Sequence, residues 1–114
     1  DQTASNSEIA SGSGTLSLST GTTGATSQAN ELLFSAAVVN TDTNFSAWNN
    51  SFIEESDFTN SGSSSSRSTY GGADLITNTA GAYSTTITAQ NRGDWRAQIV
   101  TFKGRTTRRV LSTE

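Results

Sequence analysis

The chain has 114 residues, enough for one domain, and its 32% hydrophobic content allows only a modest core. It contains neither His nor Cys, which excludes Ser-His-Asp and Cys-His catalysis, disulfides and thiolate metal sites. Residues 1–91 carry eight acidic side chains against one basic, and residues 92–114 carry two against six, so segments of net charge −7 and +4 make up the total of −3.

The first third of the chain predicts a flexible arm followed by two strands. Residues 1–14 are polar and rich in Ser and Gly, which is typical of a flexible arm. Residues 15–20 then alternate Leu16 and Leu18 with small polar side chains, the period of a half-buried strand. Residues 31–39 form the longest apolar stretch, which predicts a strand covered on both faces, with a buried helix as the alternative.

The middle of the chain gives weaker signals. Residues 40–44 predict a polar turn, and the sparse aromatic stretch that follows predicts a loop and then a short strand. Residues 60–68 are dominated by Ser and predict a mobile loop. A short strand is expected at residues 73–77, around Leu75 and Ile76.

The last third gives the clearest strand patterns. Residues 82–89 alternate, with Tyr83 and Ile87 on one side. Residues 94–103 place four side chains on one face of a central strand: Trp95, Ala97, Ile99 and Thr101. The sequence therefore predicts an all-β protein, an antiparallel β-sandwich over residues 15–103 with a basic tail or partner-completed strand over residues 104–114.

Three segments carry a family resemblance: NELLF at 30–34, AYSTT at 82–86 and above all DWRAQIVTFK at 94–103. Together they resemble the closing half of concanavalin-A-like, jelly-roll β-sandwich domains of bacterial exoproteins and phage structural proteins. Residues 1–3 and 19–23 are similar to the middle of that domain, so the resemblance spans roughly residues 1–103. It implies an antiparallel jelly-roll sandwich that binds sugars or serves as an adhesive or structural module, without a shared catalytic site.

This sequence departs from the family pattern because such domains have several strands before the segment that corresponds to Asp1. Two hypotheses account for the departure. The chain forms a reduced sandwich, or strands from another subunit complete its sheets, because an uncovered apolar edge invites pairing.

Two aromatic side chains are the candidate sugar contacts. Trp48 and Tyr70 lie near Asn- and Gly-rich segments, and their amphipathic rings suit a sugar. Trp95 and Tyr83 lie in regular strands and are expected in the core.

Oxygen-bearing side chains give only weak catalytic or metal candidates. Glu54, Glu55 and Asp57 are close enough for a glycosidase carboxylate pair, but a solvated acidic surface explains them better. Calcium is a weak candidate at three side chains spaced as in a calcium-binding loop: Asn40, Asp42 and Asn44. That loop then fails, because Phe45 replaces its Gly and Ser51 its bidentate Glu. No cofactor is expected.

The basic tail holds the candidate assembly contacts, which are Arg105, Arg108, Arg109, Val110 and Leu111. The tail lacks the aromatic side chains of a nucleic-acid site, and the chain has no run of about 20 apolar residues that would insert into a membrane. We expect a non-enzymatic structural or adhesive module on an extracellular or virion surface, whose partners are assembly proteins or its own copies. The alternative is a carbohydrate-binding module of a secreted protein.

Overall fold

The structure is a computed structural model that describes residues 1–60, 62–63 and 66–105. These residues form seven β-strands. The strands are β1 (Thr3–Glu8), β2 (Leu16–Ser19), β3 (Asn30–Val39), β4 (Ile53–Thr59), β5 (Thr69–Asn78), β6 (Thr86–Ala89) and β7 (Trp95–Lys103). Every pair of neighbouring strands is antiparallel, and no α-helix occurs in the described ranges. The predicted all-β class with antiparallel sheets is therefore confirmed.

Five strands form the larger sheet, in the order β1-β7-β3-β5-β4. The longest apolar stretch of the sequence, β3, lies at its centre, paired with β5 on one side and with β7 on the other. The prediction that residues 94–103 form a central strand is confirmed, since β7 lies between β1 and β3.

The smaller sheet, β2 with β6, lies over one face of the larger sheet and builds the core there. We call the covered side the inner face and the opposite side the outer face. The inner face contributes Leu33, Ala37, Val39, Ala73, Trp95, Ala97 and Ile99, and the smaller sheet contributes Leu16, Leu18, Ile87 and Ala89. Trp48 and Phe52, from the loop before β4, fill the same layer.

Three buried threonines at intervals of three residues extend the smaller sheet beyond its strands. The backbone N–H groups of Thr20, Thr23 and Thr26 donate to the carbonyls of residues 85, 83 and 81. In return, their hydroxyl oxygens accept hydrogen bonds from the backbone N–H groups of those same residues at 3.0–3.2 Å. The Gly-rich segment after β2 therefore stays attached to the sandwich through threonine side chains.

The prediction of a flexible arm over residues 1–14 is wrong for its first half. Residues 3–8 form β1, which pairs with β7 along its whole length. The charged N-terminal amine donates to the carbonyl of Thr101, and the Gln2 N–H donates to the Thr101 hydroxyl. The ladder between β1 and β7 consists of backbone hydrogen bonds, so β1 forms without the apolar side chains that signal a strand.

Three further expectations need correction. The strand at residues 31–39 is covered on one face only, because its side chains alternate between buried and exposed. The strand expected at residues 73–77 is longer, since Gly71 and Gly72 sit within the regular ladder of β5. The strand expected at 82–89 is shorter, because residues 81–85 pair with the threonines and not with a strand.

Candidate functional site

The outer face of the five-stranded sheet carries most of the exposed apolar surface of the protein. Seven of the eight large hydrophobic side chains exposed in the described ranges lie on it: Leu32, Phe34, Ile53, Phe58, Tyr70, Ile76 and Phe102. Ile76 is 79% exposed and Phe102 is 52% exposed. If a large apolar side chain presents about 200 Å² when fully exposed, these seven leave roughly 750 Å² uncovered.

An apolar area of this size is unusual on a soluble protein that functions alone. The largest apolar patch on a typical monomer covers about 300–600 Å², and larger patches mark interaction sites. No element of the described part of the chain packs over this face, because the smaller sheet covers the opposite one. The outer face is therefore the candidate functional site.

Strand register arranges this face in rows that cross the strands. Each of the four rows has one residue from β3, one from β5 and one from β7. In order along β3, the first row is Leu32, Ile76 and Phe102; the second is Phe34, Asp74 and Val100; the third is Ala36, Gly72 and Gln98; the fourth is Val38, Tyr70 and Arg96. The third row has the smallest side chains and forms the floor of a shallow groove of about 410 Å³. Tyr70, Arg96 and Gln98 line that groove.

Neighbouring aromatic rings flank the groove. Phe58 of β4 stacks on Tyr70 of β5, with ring centroids 5.1 Å apart and planes at 23°. On the other side, the Phe34 ring lies over Gly72, where a Cβ would come within 3.3 Å of the ring. The two glycines of β5 thus make room for rings on both faces, since a Cβ on Gly71 would be 3.0 Å from Phe45 on the inner face.

The two candidate sugar contacts lie in different environments. Tyr70 is 38% exposed and belongs to the outer face. Trp48 is only 5% exposed and lies in the core, so its ring presents no open surface to a ligand. Because buried and exposed aromatic residues look alike in a loop sequence, only the fold separates these two positions. Trp95 is buried as expected, and Tyr83 packs against the core at its edge.

The acidic side chains of β4, which has a β-bulge between Glu54 and Ser56, form two pairs: Glu54 with Asp57 of the same strand, and Glu55 with Asp74 of β5. Partial burial, a hydrogen bond with Asp57 and repulsion from that carboxylate raise the pKa of Glu54. A hydrogen bond with Asp74 and the repulsion between the two groups raise the pKa of Glu55. Hydrogen-bonded carboxyl groups are closer than the about 5–5.5 Å that separates the carboxyl groups of a retaining glycosidase.

Two of the three candidate calcium-binding side chains already have protein partners. The Asp42 carboxylate forms an ion pair with Arg67 at 2.8 Å, and the Asn40 side-chain oxygen accepts a hydrogen bond from the Ser68 hydroxyl. At Asn44 the backbone carbonyl, and not the side chain, accepts a hydrogen bond from the backbone N–H of Gln90. Within the described ranges, no group of three or more acidic residues is placed to hold a metal ion.

The inner face holds an unusual buried carboxylate, Glu31, which is 1% exposed. Neither of its carboxylate oxygens has a hydrogen-bond partner within the described part of the chain. Its neighbours across the sheet are Thr77 on β5 and Lys103 on β7. The backbone of Glu31 is well anchored, because its N–H donates to the Thr77 hydroxyl and its carbonyl accepts from that same group.

Only one of the candidate assembly contacts in the basic tail lies within the described residues. Arg105 is exposed, directly after Gly104, which is tied to the sheet by its N–H bond to the Asn30 carbonyl. The other four, Arg108, Arg109, Val110 and Leu111, lie outside the described residues.

Sequence analysis did not identify the outer face. Phe34, Ile76 and Phe102 were placed in strands but were not singled out as exposed. The sequence does contain a signal, because the positions between the buried residues of these strands also hold apolar side chains. Apolar side chains on both faces of a strand are consistent either with coverage of both faces or with one open face.

Comparisons with protein-family models, curated proteins and solved structures found no match. The described residues also contain no helix of the length and hydropathy that a membrane-spanning segment requires.

Proposed function

We propose that the protein is a non-catalytic structural or adhesive module of a jelly-roll type, displayed on an extracellular or virion surface, which assembles with other proteins through its outer sheet face. The observation that carries the proposal is the uncovered apolar face of roughly 750 Å², larger than the patches typical of monomers. The resemblance to concanavalin-A-like domains of exoproteins and phage proteins supports the jelly-roll type and the setting.

One edge of the sheet supports assembly through the face in preference to strand addition. The edge strand β4 carries three carboxylates and a bulge, whereas the edge strand β1 exposes mostly uncharged polar side chains. Charges and bulges on edge strands oppose pairing with another chain, so β4 is the protected edge. The outer face has only sparse charge, so it is the better surface for a partner.

The chemistry of the chain supports a non-catalytic function. It has no His or Cys to activate a nucleophile. Its hydrogen-bonded pairs, Glu54 with Asp57 and Glu55 with Asp74, involve glutamates that are largely or wholly exposed and not enclosed in a cleft. Shared protons between exposed carboxyl groups explain the raised pKa values without a catalytic function.

Light scattering coupled to size exclusion tests this function. We expect the native chain to form a stable oligomer at micromolar concentration and the double variant Ile76→Lys/Phe102→Lys to be a folded monomer. The matched control is Ser17→Lys/Thr88→Lys, which adds the same charge to the exposed side of the smaller sheet. A double variant that oligomerises as the native chain does would contradict assembly through the outer face, and a native chain that stays monomeric would contradict assembly with its own copies.

Carbohydrate binding is a second candidate because the groove combines an exposed Tyr70 ring with the polar side chains of Arg96 and Gln98. Sugar sites use this combination of an aromatic platform and a few hydrogen-bonding groups. On a glycan array, this function predicts that Tyr70→Ala abolishes binding and that Ile53→Ala, at the far end of the outer face, retains it.

A further inference from the structure

We propose that the partner of the outer face is a second copy of this chain, packed face to face about a two-fold axis that runs parallel to β3. This inference rests on the proposed assembly function and specifies its partner. It is argued from the area of the face and its row pattern.

The area of the outer face matches what a stable dimer needs. A standard protein interface buries about 800 Å² on each partner, and the apolar part of this face alone offers roughly 750 Å². Two sheets packed face to face lie about 10 Å apart with interdigitating side chains, which is how sandwich cores are built. The dimer would therefore add a second core layer to each copy.

The row pattern is self-complementary about this axis. Because β3 is the central strand, a two-fold axis beneath it places β7 of one copy opposite β5 of the other. Leu32 and Phe34, which lie on β3, then face their own counterparts across the axis. In the same arrangement, Phe102 faces Ile76 of the second copy, because both share the row of Leu32.

One polar side chain, Arg96, also finds a favourable neighbour in this arrangement. It faces the Tyr70 ring of the second copy, since both share the row of Val38, and a guanidinium group over a ring is a favourable cation–π pair. Gln98 lies opposite Gly72, where it contacts the Phe34 ring that lies over that glycine. Asp74 lies opposite Val100 and beside Glu55 of its own chain, so this pair of carboxyl groups opposes the association.

Sheet twist limits these pairings to the rows near the point where the two β3 strands cross. Packed sheets are rotated by about 30° relative to each other, so the axis bisects the angle between the two β3 strands. A row about 6.7 Å from the crossing point is displaced sideways by about 3 Å, which is less than the spacing of about 4.8 Å between strands. A row twice as far away is displaced by more than one strand and loses its partner.

Sedimentation analysis and chemical cross-linking test the dimer. In sedimentation of the full chain over a range of concentrations, we expect a monomer–dimer equilibrium. Leu32→Lys should weaken it at least tenfold, because the two new charges would face each other near the axis. Ser17→Lys, on the opposite side of the sandwich, should leave it unchanged. Circular dichroism of both variants checks that the fold is retained.

Cross-linking tests the geometry independently of that variant. The chain has no Cys, so Ala36→Cys on β3 places a single thiol near the axis, and Thr88→Cys places one on the smaller sheet. A short bis-maleimide should convert most of the first variant, and little of the second, into covalent dimer. Equal cross-linking of both variants would overturn the arrangement.

The outcomes separate this inference from the function on which it rests. A trimer, or an open filament that Leu32→Lys dissolves, would overturn the two-fold dimer and retain assembly through the outer face. A monomer at every concentration that binds glycans through Tyr70 would overturn both.

Discussion

The two faces of the five-stranded sheet are built from the same strands, and one of them is covered while the other is open. On β3, Leu33 is fully buried under the smaller sheet, while its neighbour Leu32 is 43% exposed on the outer face. Both faces are apolar, so hydrophobicity alone does not distinguish the core from an interaction surface. What distinguishes them is whether the chain supplies a second layer, and among the described residues β2, β6 and the hydrogen-bonded Thr20, Thr23 and Thr26 supply it on the inner face only.

Substitution of the two neighbouring leucines tests this comparison with the largest expected effect. Leu33→Ala should lower the free energy of unfolding by about 2–5 kcal/mol, because it leaves a cavity in the core. Leu32→Ala should lower it by less than about 1 kcal/mol in the monomer, because its side chain is already half in solvent. Urea denaturation followed by the fluorescence of Trp48 and Trp95 measures both.

The measurement must be made at the lowest practicable protein concentration, because dimer formation would add concentration-dependent stability. If Leu32→Ala there costs as much as Leu33→Ala, the outer face is already covered within a single chain, and the proposed partner is unnecessary.

The limits of prediction from sequence follow from the same comparison. The pattern of β7 correctly placed Trp95, Ala97, Ile99 and Thr101 on one buried face, because alternation determines which side chains share a face. Alternation does not say what lies over each face, so residues 31–39 were expected to be covered on both sides.

The strands that were missed or misjudged share a different cause. β1 is held by backbone hydrogen bonds to β7, and residues 81–85 are held by the hydroxyls of Thr20, Thr23 and Thr26. Such contacts depend on which distant segments meet, and they leave no hydrophobic period in the sequence. Trp48 and Tyr70 are candidate sugar contacts in the sequence because both have amphipathic rings. Only the fold separates the buried Trp48 from the exposed Tyr70.

The carboxylate of Glu31 sharpens the comparison, because it lies on the covered face without a hydrogen-bond partner in the described ranges. A buried polar group without a hydrogen-bond partner costs about 1–3 kcal/mol of folding free energy. Glu31→Met keeps a similar volume and removes the unpartnered oxygens, so we expect the free energy of unfolding to rise by about 1–3 kcal/mol. Glu8→Met, at the exposed end of β1, is the control and should change it by less than about 0.5 kcal/mol.

Destabilisation by Glu31→Met would contradict this expectation. It would indicate that the carboxylate gains a partner in solution, and Lys103, its cross-strand neighbour on β7, is the first side chain to test. Lys103→Met should then destabilise the chain by a similar amount, and the double variant Glu31→Met/Lys103→Met by no more than either single variant, which is the signature of a coupled pair.

The smallest effect is expected from Glu55, the exposed counterpart of Glu31. The hydrogen bond with Asp74 and the repulsion between the two carboxylates raise the pKa of Glu55 in the folded state above 4.5. The folded protein therefore holds this proton more tightly than the unfolded chain does. The resulting stability is fully present below pH 4.5 and is lost as the pH rises through the folded-state pKa.

Glu55→Gln should accordingly flatten the decline in unfolding midpoint between pH 4.5 and neutrality, while the control Glu8→Gln should leave it unchanged. Part of the decline should remain, because burial and Asp57 raise the pKa of Glu54 in the same direction. Parallel pH profiles for the native chain and Glu55→Gln would show that solvent screens the Glu55–Asp74 pair completely. In that case the outer face would carry an ordinary solvated carboxylate beside its apolar rows, and only the inner face would hold a carboxyl group whose environment affects folding.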